Sequence, residues 1–255
     1  MRDAIAHRIV NALGRPFVRV WLASAEMSAP WLPRPDGPGA PQPEHDADRL
    51  LLVGNGAAVG YGVLTHDLSL AGHLGRQLTV ANGRPAHVSV LADGSMTWGS
   101  AAALLPDAHL DPYDAIVLTV GVNEALGLAS AEQVRRACAG VLDYLASPRA
   151  PKLRIIVVGI PPLRSISSVP PSVEWLVDRH AAVLNSVVSE VCGSRDLVTF
   201  VPFAPEPGRD RRRYRSTETY REWAALIVPA TAEALARECP TGSAVADDDL
   251  RHPST

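Results

Sequence analysis

Leu51-Leu52-Val53-Gly54-Asn55-Gly56-Ala57-Ala58-Val59-Gly60 is the stretch around which the chain is organised. An apolar run of strand length stops at a glycine, turns through Gly54-Asn55-Gly56 and opens into a helical pattern. That predicts the first strand, first loop and first helix of an α/β domain. Ligands of such sheets bind at the carboxyl ends of the strands, which places the loop at 54–56 on the working edge. Gly54, Gly56 and Gly60 do not have the G-x-G-x-x-G spacing of a dinucleotide loop, and no Lys-Ser/Thr pair follows as in a P-loop.

Outward from this stretch, strands and helices alternate. Residues 66–82 read as a helix through Leu68, Leu70, Leu74 and Leu78, closed by Asn82-Gly83. Residues 87–91 read as strand two, ending at Ala92-Asp93-Gly94-Ser95, and 98–105 as a short helix. Residues 115–120 form a buried strand that runs into Gly121-Val122-Asn123-Glu124. Ser130 and Gln133 make a capping box for a helix that buries Val134, Val141, Leu142 and Leu145. Strand four spans 153–160 and stops at Pro161-Pro162, a long helix spans 173–192, and strand five spans 197–203. Ser216 caps a last helix to about Glu238, with Pro229 expected to kink it. This alternation predicts a three-layer α/β/α sandwich, flavodoxin-like, on a five-stranded parallel sheet.

The flanks differ in character. Residues 1–29 form an amphipathic arm with Ile5, Ile9, Leu13, Phe17, Val20 and Trp21 at helical spacing and Arg2, Arg8, Arg15 and Arg19 elsewhere. Two readings stand: an arm packed on the domain or on a partner protein, or a weak membrane-surface contact through residues 1–27. Residues 30–48 carry six prolines and read as a semi-extended linker, with the domain at 49–238 and a polar, disordered tail at 239–255. Of 255 residues, 47 % are hydrophobic and 20 % charged, enough for a large core. A net charge of −3 gives no reason to expect nucleic acid as a partner. Cys138, Cys192 and Cys239 have no metal or redox spacing and read as reduced thiols in a cytoplasmic protein. There is no transmembrane run, no secretory signal pattern, and no cluster spaced for a metal; no cofactor is expected.

Four blocks carry chemistry in order: Gly54-Asn55-Gly56, Gly94, Gly121-Val122-Asn123-Glu124, and Arg211-Arg212-Arg213-Tyr214-Arg215 before Ser216, Tyr220 and Trp223. Each lies at a strand end or a helix start. Together they resemble the blocks of the SGNH (GDSL-type) hydrolase family over residues 49–238. The resemblance implies a nucleophilic serine at position 56, a base histidine at 214 and an orienting aspartate at 211. These positions hold Gly56, Tyr214 and Arg211. Glycine has no nucleophile, tyrosine with an ordinary pKa near 10 is a poor base at neutral pH, and arginine cannot accept a hydrogen bond from a histidine. Asp210 lies one residue off register.

The resemblance also implies an oxyanion hole made of the Gly56 N–H, the Gly94 N–H and the Asn123 amide, with Asn55 bridging loops and Glu124 bracing one. Asn55, Gly56, Gly94, Asn123, Glu124 and Tyr214 are therefore the candidate ligand-binding residues; the plainer reading of Gly54, Gly56 and Gly121 is tight turns leaving strands. Ser95 is either a relocated nucleophile or a turn serine, and His66 and His73 are surface or core histidines before they are catalytic ones. Arg209, Arg211, Arg212, Arg213 and Arg215 either clamp an anion or form a solvated loop, and residues 164–168 are a further candidate for the cleft wall. Two functions follow: a non-hydrolytic binder of a small acyl, carboxylate or anionic ligand or of a partner protein, or a divergent esterase using a non-standard nucleophile or a water activated by Glu124 or Asp210.

Overall fold

The computed structural model describes residues 33–35, 46–147, 153–163, 171–203 and 216–237. The expected N-terminal arm, the segment 164–168, the arginine-rich stretch with Arg211 and Tyr214, and the tail lie outside the described residues. Five strands form one sheet: β1 Asp48–Gly54, β2 Ala86–Ala92, β3 Ala115–Thr119, β4 Arg154–Val158 and β5 Val198–Val201. Their order is β2-β1-β3-β4-β5 and every pairing is parallel. β1 and β3 are central and read as continuous apolar runs because both their faces are covered. Leu50, Leu52, Ile116, Leu118 and Ile156 are completely buried.

The helices are α1 Leu70–Asn82, α2 Trp98–Leu104, α3 Val122–Leu126, α4 Ala131–Leu145, α5 Pro171–Cys192 and α6 Thr217–Ala236. α1 packs on α6, and α4 packs on α5 and α2, giving the helical layers of the expected three-layer sandwich. Local chemistry fixes their ends. Ser130 Oγ accepts from Gln133 N at 3.1 Å while Gln133 Oε1 accepts from Ser130 N at 3.3 Å, the reciprocal box read from the sequence. Ser216 Oγ accepts from Thr219 N at 3.3 Å and opens α6, which runs as one helix through Pro229.

Three expectations change. Residues 56–62 are turns and not the start of a helix, since Gly60 (φ 75°) and Gly62 (φ 88°) leave the right-handed region. The helix expected at 66–82 is split at Ser69, whose backbone is extended (φ −86°, ψ 179°). Ser69 N–H and Oγ both donate to His66 O, at 3.0 and 2.7 Å, closing a separate short turn at His66–Leu68. Strand four is shorter than expected, although Gly159 N–H still donates to Val201 O at 2.9 Å. The working edge gathers the ends of β1, β2 and β3: Gly54 pairs with Ala92 and with Thr119.

Candidate functional site

At the end of β1 the chain passes so close to β3 that a Cβ on Gly54 (φ 155°) would overlap the Thr119 hydroxyl and carbonyl. Only glycine allows this approach. Asn55 follows, 2 % exposed; its N–H donates to Thr119 O at 3.2 Å and its Nδ2 to Met96 O at 2.9 Å. It bridges the first loop to the second, as the resemblance implies, but it is buried structure and not an open ligand contact. Among the described residues, Gly56 (φ 41°) then has no heavy atom beyond its chain neighbours within 4 Å of where a Cβ would stand. The room for a serine side chain exists; the side chain does not.

The second loop is held from below. Asp93 N–H donates to Gly54 O at 3.1 Å, and Asp93 Oδ1 accepts from Ser95 N at 2.7 Å and from Ser95 Oγ at 2.5 Å. These bonds from Ser95, hydroxyl first, hold the Asp93 carboxyl below its ordinary pKa. The two bonds to Asp93 are those of a serine closing its own turn. Gly94 between them has the Tyr61 hydroxyl so near that a Cβ would overlap it. Tyr61 O in turn accepts from Tyr220 Oη at 2.7 Å, and Tyr220 stacks edge-on to Trp223 at 5.7 Å.

The third block reaches back to the second loop. Asn123 Nδ2 donates to Gly94 O and to Met96 O, both at 2.9 Å. Its amide hydrogens thus both meet carbonyls of the second loop, which Asn123 lashes to α3. Met96 O receives both asparagines, a carbonyl using both its lone pairs. By contrast, Gly56 N–H and Gly94 N–H have no acceptor among the described residues. Two of the three expected donors are open.

Glu124 is 8 % exposed, and Oε1 accepts from Trp98 N at 2.6 Å, pinning the start of α2. Oε2 and Trp98 Nε1 are buried without a partner. Burial raises the Glu124 pKa above the ordinary carboxylate value, against the pull of the Trp98 N–H. Glu124 braces the start of α2. Because its folded pKa is raised, the folded state holds more protons above pH ~4.5 than the unfolded chain. Stability therefore falls as pH rises through the window between the two values. Glu124→Gln keeps the acceptor for Trp98 N–H and is expected to remove this component: the difference in melting temperature between variant and wild type grows from pH 4 to pH 7, and a constant difference would contradict it.

His73 is excluded as a relocated base by its tautomer. Nδ1 faces Arg76 Nη2 at 3.1 Å, and a guanidinium only donates, so Nδ1 accepts and the proton sits on Nε2. Nε2–H then donates to Thr217 Oγ1 at 2.9 Å, the wrong direction for activating a hydroxyl. Burial, with Arg76 and Arg221 nearby, keeps the ring below its ordinary pKa. Among the described residues no cluster of three or more His, Cys, Asp or Glu could hold a metal, and no helix is long and apolar enough to cross a membrane. The sequence reading placed Tyr220 in the fourth block but missed Tyr61, whose only signal was its place between Gly60 and Gly62.

The sheet order, the three loops at its edge and the lashed second block define an SGNH-type α/β hydrolase fold. The chain belongs to the GDSL-like lipase/acylhydrolase family, whose model matches residues 52–241. No curated protein sequence matches the chain. Among solved structures, a lipase from a goat rumen metagenome superposes with a TM-score of 0.58 at 13 % identity, covering 72 % of this chain and 97 % of that one. A family two carbohydrate esterase from Cellvibrio japonicus gives 0.57 at 14 % identity, covering 77 % and 64 %. A lipase/acylhydrolase from Enterococcus faecalis gives 0.56 at 15 %, covering 73 % and 96 %. At these identities the likeness concerns the fold.

Proposed function

We propose that this chain is a non-hydrolytic member of its family that uses the hydrolase cleft to hold a small carboxylate, acyl carbonyl or other anionic group. The observation that carries this reading is Gly56: the nucleophile's position holds no side chain, while among the described residues its N–H and that of Gly94 have no acceptor. Paired backbone donors at a partly dry strand edge favour negative charge whether or not a nucleophile is beside them. Asn123 serves by fixing Gly94, and the arginines of 209–215, with Tyr214 and Arg211, are proposed to add positive potential over the same edge. Free, buried Cys138 and Cys192 support a reducing, cytoplasmic setting. A protein partner is the companion proposal for the same edge.

Fold alone never decides activity, so the test is direct. Acetate, longer carboxylates and phosphate are titrated calorimetrically into wild type and Asn123→Ala. The expected result is binding by at least one class of anion, weakened about tenfold in the variant, since each charge-assisted bond contributes roughly 1.5–3 kcal/mol and loosening Gly94 misaims one. Indifference of the wild type to every anion would remove the ligand reading and leave the partner-binding one.

A further inference from the structure

The stretch read as a linker makes a contact of its own. Pro33 O accepts from Gly62 N–H at 2.7 Å. The Pro35 ring stands against Gly60, so that a Cβ there would lie 3.1 Å from its Cγ and Cδ and 3.0 Å from Ser69 Cβ. Residues 33–35 are thus seated on both glycines that flank Tyr61. The other side of the same turn is held by Tyr220 Oη on Tyr61 O, from the buried start of α6. Held from both sides, Tyr61 places its hydroxyl over Gly94, one of the two open donors. Two φ-positive glycines on either side of one aromatic residue make a turn that has little stiffness of its own. Its geometry must therefore come from the contacts that pin it.

We infer that residues 33–35 are a strap whose docking on Gly60 and Gly62 holds Tyr61 over Gly94, so that this strap controls access to the cleft. The meaning of this for ligand entry rests on the reading above; the coupling itself does not. Release of the strap frees the Gly62 N–H and lets the phenol swing away from Gly94. By reciprocity, forcing the phenol away from Gly94 must loosen the strap.

The test uses the full chain and needs no ligand. Pro33→Gly/Pro35→Gly removes the ring contact and the pre-set extended backbone. Exchange of the Gly62 amide and nitration of Tyr61 are followed by mass spectrometry, with Tyr113 and Tyr144 as internal references. The expected result is at least tenfold faster exchange at Gly62 together with several-fold faster nitration of Tyr61, the references unchanged. Faster exchange with unaltered Tyr61 nitration overturns the coupling, and unaltered exchange overturns the strap. Gly94→Ala supplies the reverse arm and covers a proline variant that fails to fold: its methyl displaces the phenol, and Gly62 is expected to exchange several-fold faster. A Gly62 amide as protected as in wild type contradicts the inference. Failure of the wild type to bind any carboxylate would instead count against the cleft reading while leaving the strap in place.

Discussion

Short-chain p-nitrophenyl esters are expected to be turned over no faster by this protein than by its Asn123→Ala variant, and a serine-directed phosphonate is expected to leave no covalent label. The magnitude behind this is large. Removing the serine or the histidine of a hydrolase triad lowers turnover by roughly 10⁶-fold, and an oxyanion site alone retains only about 10³–10⁴-fold over water. Here the serine position is Gly56, and the histidine and aspartate positions are Tyr214 and Arg211. The obvious substitutes are also spoken for: Ser95 is bonded to a stabilised carboxylate, His73 carries its proton on the wrong nitrogen, and Glu124 is buried under Trp98. A serine side chain at position 56 meets no described atom within 4 Å but is strained by the positive φ there, and Gly56→Ser is expected to remain inert toward ester and phosphonate alike. Phosphonate-sensitive turnover by the wild type would contradict this directly.

The second large effect concerns the turn on which the site is built. Gly54→Ala is expected to destabilise the domain by about 3 kcal/mol or more, or roughly 6–12 °C in melting temperature for a domain of this size. The added methyl would overlap the Thr119 carbonyl as well as its hydroxyl, and a backbone atom of a central strand cannot step aside. The end of the β1–β3 pairing would have to open, carrying Asn55 N–H off Thr119 O. Thr119→Ala in the same chain removes only the side-chain part of the clash. It is expected to recover less than half of the loss, and full recovery would mean that the carbonyl contact is unimportant. Both are read by thermal denaturation followed by circular dichroism.

The sheet was legible because β1, β3 and β4 are apolar runs that end at glycine or proline, and parallel strands buried on both faces must look that way. The Ser130–Gln133 box was legible because capping is local chemistry. So were the first three blocks, each tied to a strand end. What could not be read were non-local matters. Whether Asn123 aims its amide at a ligand or at Gly94 O and Met96 O depends on where another loop lies, and its spacing is the same in both cases. The docking of residues 33–35 joins a proline-rich stretch to a loop it has no pattern in common with. The turn at 56–62 misled because Ala57, Ala58 and Val59 suit a helix, while Gly60 and Gly62 decide the matter through φ. Tyr61, the residue that closes on Gly94, carried no motif at all.

The chain holds 19 glycines, so protein labelled with ¹⁵N-glycine gives a spectrum simple enough to follow residue by residue. Titrated with short-chain carboxylates, the Gly56 and Gly94 amides are expected to move downfield together along one saturating curve, as donors to a shared anion do, while a short-chain ester added in their place remains intact. Gly56 and Gly94 amides that stay fixed at every carboxylate concentration, or an ester consumed in the tube, would contradict a cleft that binds without hydrolysing.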